Sequence, residues 1–229
     1  MRNYLTQIKF SVTLSLLIAL SINALSQCSI GDFVLFEHGQ SSLDILTELS
    51  SNKDYIIIIN SVYEPSANVK DPNGSKNLRT IGFSIKNPIC INKVQNEQKC
   101  YLRLLGDKLY SRNFTITFKP NDGKLAKQFF EMLEKQVIDS LSSEQIHNSN
   151  FYKLTDKDTK EVTGNGSDFV IDKDCENYTT LKMSYYLKYK TYIDKNYKIH
   201  NTGVIDYFEI KIIITNLEGI NFNCNSYEE

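Results

Sequence analysis

From Leu181 to Ile214 the chain alternates, and that alternation limits the folds open to it more than any other feature. Leu181, Met183, Tyr185, Leu187, Tyr189 and Ile193 fall on odd positions, and Lys182, Ser184, Lys188, Lys190 and Asp194 on even ones. Successive side chains of a strand point to opposite faces, so this stretch reads as a strand with one covered face. Asn196 to Gly203 turns the chain, and Phe208, Ile210, Ile212 and Ile214 line a return strand. The pair is predicted to be a long C-terminal β-hairpin.

An apolar sheet face needs a cover. Leu125, Phe129, Leu133, Val137 and Leu141 recur every four residues, with Phe130 beside them. That stripe predicts one long helix over 124–141, with Glu131 and Lys135 paired on its outer side. Ile81, Phe83 and Ile85, then Tyr101 to Leu105, then Phe114, Ile116 and Phe118 give three more strands. Ser41 and Ser42 precede Leu43, Ile45, Leu46 and Leu49, which predicts a short N-terminal helix with a serine cap. Phe33 to Phe36 reads as a strand, and the β-branched run Tyr55 to Ile59 as a strand buried on both faces. The polar stretch 142–167 reads as a linker, where a domain would divide. The expected class is α+β: a mostly antiparallel sheet with one covering helix.

Arg2 and Lys9, the apolar run Phe10 to Ile22 and the small-residue site Ala24-Leu25-Ser26 form a secretory signal over residues 1–26. The apolar core is shorter than the roughly 20 residues of a spanning helix. Residues 27–229 would then be a single exported α+β domain, secreted or periplasmic. Leu25-Ser26-Gln27-Cys28 also resembles a bacterial lipoprotein box, with Gln27 departing from the small residue expected there. That resemblance implies lipidation of Cys28, and only then would the protein contact a membrane.

Export makes disulfides the default for the remaining cysteines. Cys90–Cys100 and Cys175–Cys224 are the preferred pairs, closing a short loop and tying down the tail. No two cysteines lie two to four residues apart, so no metal site is expected. Losing Arg2 and Lys9 takes the net charge from −1 to −3, which supplies no basic excess for nucleic acid. His38, His147 and His200 stand apart, and neither a zinc-protease helix nor a nucleophile elbow is present in the sequence. Asp156-Lys157-Asp158 begins like a calcium loop, but Glu161 and Ser167 occupy the positions of its Gly and Glu. No cofactor is expected.

Tyr186 and Tyr192 share the polar parity of the alternating strand with Lys188 and Lys190. Tyrosine offers large contact area at small entropic cost, so these four are the candidate binding residues, for a protein or glycan partner. A non-enzymatic exported binding module is the leading expectation. A secreted hydrolase using His38 with a carboxylate, and a structural envelope lipoprotein, are the alternatives.

Overall fold

The computed structural model describes residues 28–63, 77–90, 96–140, 146–156, 162–171 and 179–216. A 3₁₀ turn at Ile30–Phe33 and helix α1, Ser42–Ser51, precede strands β1, Tyr55–Tyr63, β2, Leu78–Ile85, β3, Asn96–Leu105, and β4, Lys108–Phe118. Helix α2, Gly123–Ser140, follows; then come β5, Ile146–Thr155, β6, Val162–Ile171, β7, Thr179–Ile193, and β8, Ile199–Asn216. The strands form an eight-stranded sheet in the order β1-β2-β3-β4-β8-β7-β6-β5. Every neighbouring pair is antiparallel. Two four-stranded meanders therefore meet through their last strands, β4 and β8.

Alternation divides the sheet into two chemically distinct faces. Phe114, Ile116 and Phe118 of β4 lie against Ile212, Ile210 and Phe208 of β8, and Leu181 and Met183 of β7 continue the apolar layer. Helix α2 packs on β7 and β8 and buries Ala126, Phe129, Phe130, Leu133 and Val137. Its capacity to do so follows from the i, i+4 spacing, which stacks those side chains on one stripe. Each fully buried Phe, Leu or Val contributes about 2 kcal/mol. Phe33 drops edge-on between Phe114 and Phe129, with ring centres 4.9 and 6.4 Å away. On the outer side of the helix Glu131 pairs with Lys127, 3.6 Å away, rather than with Lys135.

Short polar links join the helices to strand ends. The Ser41 hydroxyl accepts from the Asp44 backbone N–H and caps α1. Ser42 donates its hydroxyl to Asp107 and accepts from Arg79, so the helix start is tied to β2 and to the β3–β4 turn. That turn is two residues long, Gly106-Asp107, with Gly106 at φ 62° in the position where a primed turn needs a positive angle.

Several sequence expectations need correcting. Phe33 to Phe36 is not a strand: a 3₁₀ turn ends at Phe33, and Phe33 and Phe36 bury their rings while Val34 is exposed. The run Tyr55 to Ile59 is not sandwiched, because β1 is an edge strand with a bulge at Ile58. The stretch read as a linker holds β5 and the first half of β6. Its polar composition fits an edge strand, and Gly164 and Gly166 erase the alternation that would have marked β6. The β7–β8 turn is tighter than 196–203: Asp194 and Lys198 close it, and Gly203 lies within β8.

The cysteine pairing also differs. Cys90 is bonded to Cys28, with Cα atoms 5.2 Å apart, and not to Cys100. Cys100 alternates with Gln98 and Leu102 on the covered face of β3 and is buried in the core, whereas Cys90 lies in the connection beyond the end of β2. Burial raises its pKa, so it remains a neutral thiol. With the Cys28 sulfur in a disulfide, no thiol is left there for an acyl chain. Cys175 and Cys224 lie outside the described residues, as does the signal segment. Among the described residues no helix is long and apolar enough to cross a membrane.

Candidate functional site

At its centre, the face of the sheet away from α2 carries rings and ions. Its centre is Tyr186 of β7, paired across the strands with Glu209 of β8. The Tyr186 hydroxyl donates to the Glu209 carboxylate. Lys211 Nζ lies 3.3 Å from the same carboxylate. Lys188 and Lys211 both stand over the Tyr186 ring, 4.9 and 5.4 Å from its centre. Ammonium groups at that distance are attracted by the ring's negative face. Glu209 is buried, so its two partners matter: an unpaired carboxylate there would be expensive. The cluster of two lysines and one glutamate keeps one positive charge in excess.

Beside this hub the sheet is hollow. Gly164 and Gly166 of β6 face Tyr186 and Ser184 across β7, and Leu154 and Tyr152 across β5. A side chain at either position would collide with a neighbour. A Cβ on Gly164 would sit 1.9 Å from the Tyr185 carbonyl oxygen, and one on Gly166 would sit 2.4 Å from the Tyr152 ring. The outer end of the Tyr152 ring therefore lies over Gly166. Its hydroxyl donates to Asp168, 3.2 Å away, and Lys182 closes on the other carboxylate oxygen at 3.1 Å. Burial first, and the Asp168 charge second, raise the Tyr152 pKa. The result is a trough of about 610 Å³ running from Tyr152 and Asp156 to Tyr186, Lys188 and Lys211. Asn201 donates to Asp156 at 3.2 Å from within its lining, while its own carbonyl oxygen is buried with no hydrogen-bond partner.

The four sequence candidates divide. Tyr186 and Lys188 line the trough. Tyr192 and Lys190 do not, because bulges between Lys188 and Thr191 break the alternation. Tyr192 instead stacks on His200, 5.3 Å between centres, and His200 bonds Asp194 at 2.8 Å in the β7–β8 turn. Tyr185 packs on the covered face, parallel to the Phe208 ring at 6.0 Å. Tyr189, expected beside it, lines the trough instead, and Ile193 is exposed. His38 lies in the turn before α1, and His147 in β5.

Glu209, Lys211, Tyr152 and the two glycines escaped the sequence reading. Gly164 and Gly166 fall within the stretch read as a linker; glycines two apart, hence on one face of a strand, are the available sign of a floor. Compared with known protein families, with curated proteins and with solved structures, the chain matches none.

Proposed function

We propose that this chain is an exported, non-enzymatic binding module and that the open sheet face around Tyr186 is its contact surface. The observation that carries this reading is the trough: a glycine floor, the rings of Tyr152 and Tyr186, and two lysines over the Tyr186 ring, one of them, Lys211, ion-paired with the buried Glu209. A surface whose side chains are already fixed loses little freedom on binding. The rings of Tyr152 and Tyr186 fit the apolar carbon of a partner, and Lys188 and Lys211 fit its hydroxyl or carboxylate oxygens. A protein or a glycan presents both. The Cys28–Cys90 disulfide agrees with an oxidising compartment, and hence with the export proposed here.

The discriminating pair of variants is Lys188→Glu and Lys190→Glu. Both make the same charge change on exposed residues two apart on one strand. Immobilised chain is screened against a glycan array and against extracellular protein from the native environment. Lys188→Glu should reduce ligand retention at least tenfold, and Lys190→Glu should leave it near wild type. Equal behaviour of the two variants rejects the trough as the contact surface.

A further inference from the structure

The run Tyr55-Ile56-Ile57-Ile58-Ile59 has the composition of a central strand, yet the fold leaves it at an edge. We propose that β1 is completed by a second copy of this chain, the two β1 strands pairing antiparallel across a twofold axis to make one continuous sheet.

Exposure on both faces is what selects an added strand over any other cover. Ile57 stands opposite Phe83 on the helix side, and Ile56 and Ile59 stand opposite Ser84 and Gly82 on the open side. Ile56, Ile57, Ile58 and Ile59 are nevertheless 39–46% exposed, and Val62 is 55% exposed. A docked helix or a flat protein surface would cover one face and leave the other wet. A strand added along the edge sets neighbours beside the side chains of both faces and satisfies the outward backbone N–H and C=O groups.

The strand also lacks the usual defences of an edge. Tyr55–Tyr63 contains no charged residue and no proline, and its one blunting device is the bulge at Ile58. The other edge, β5, contrasts with it: Lys153 and a run of Asn and Ser lie along that strand. A partner strand for β1 must be apolar and uncharged, and β1 is itself that strand. Pairing β1 with β1 is isologous and closes at two copies. Pairing β1 with β5 would leave edges free at each step and grow without limit. A nine-residue strand pairing buries on the order of 1,000 Å² in total, the threshold for a specific interface, which places the affinity in the micromolar range.

Two measurements test this. Sedimentation of the purified chain at about 100 µM should give twice the mass of the single chain. Ile56→Lys and Ile57→Lys, one on each face, should weaken association at least tenfold with the circular dichroism spectrum unchanged. An antiparallel twofold sets one residue of β1 opposite itself, so single cysteines are also placed at positions 57 to 61 in turn. One of them should form an intermolecular disulfide readily, and Lys182→Cys on the open face should not. This scan keeps the test decisive if a lysine variant fails to fold. A chain that stays monomeric at that concentration overturns the proposal. So does a dimer that persists in both lysine variants and crosslinks at none of the five positions, or a β1 edge occupied only by a different protein.

Discussion

Tyr185 and Tyr186 are neighbours in sequence and do opposite work. Tyr185 turns inward, packs between Phe130 and Phe208 and reaches the Gly123 carbonyl with its hydroxyl. Tyr186 turns outward, bonds a carboxylate and lies under two ammonium groups. The same divide runs through β4, β8, β7 and β6. The covered face gains its free energy from apolar area, which is insensitive to direction. The open face is held by charge-assisted bonds, which depend on direction and are screened by salt. One side therefore sets whether the chain folds. The other fixes the positions of a few polar groups, as a recognition surface requires.

The contrast is sharpest in Phe129. It is wholly buried beneath the sheet, in contact with the Phe33 and Phe118 rings. Phe129→Ala should lower unfolding free energy by about 3–5 kcal/mol. Lys124→Ala, on the exposed side of the same helix, should change it by about 0.5 kcal/mol or less. Equal, mild effects in chemical denaturation would show that the helix stripe does not carry the core.

A smaller effect separates the two floor glycines. At Gly164 an added methyl meets backbone, the Tyr185 carbonyl oxygen at 1.9 Å, so β6 must move away from β7. At Gly166 it meets the far end of the Tyr152 side chain, which can swing aside and release Asp168. Gly164→Ala should cost about 3 kcal/mol and Gly166→Ala about 1 kcal/mol, as expected for overpacking with and without a yielding neighbour. Reversal of that order in urea unfolding would mean that the floor is not as close to β7 as described.

The covered face was the more legible of the two in the sequence, for a physical reason. Burial imposes a period, and Leu125, Phe129, Leu133 and Val137 declare it, as do Phe114, Ile116 and Phe118. The open face has no such constraint: Glu209, Lys211 and Tyr186 are brought together by strand pairing between residues more than 20 apart, and no local pattern encodes that distance. Gly164 and Gly166 removed the very side chains whose alternation would have identified β6. Cys28 and Cys90 are 62 residues apart, and a preference for short loops pointed to Cys100 instead. The isoleucine run of β1 was misread in a different sense, since its composition describes an environment that one copy of the fold does not supply.

The smallest expected effect is one that both faces share. Burial is the largest cause of a raised pKa at Tyr152 on the open face and at Tyr185 on the covered one; the charges of Asp168 and Glu131 add to it. The ordinary phenol value is 10.0. Where the folded pKa lies above the unfolded one, the folded state holds the proton longer. Between the two values it binds more protons than the unfolded chain, so unfolding free energy falls as pH rises. The contribution is complete below the unfolded value and is lost as pH climbs through the folded one. Stability measured from about pH 9 to 11, the range in which phenols titrate, should therefore decline. Tyr152→Phe and Tyr185→Phe should each make the decline shallower, and their effects should add, because the two rings lie on opposite faces and share no partner. The Tyr152 part should also shrink in salt, since its Asp168 contribution is partly exposed, while the Tyr185 part rests more on burial and should persist. A slope that neither substitution alters would place both phenols in water and would remove the distinction between a covered ring and a ring laid on glycine.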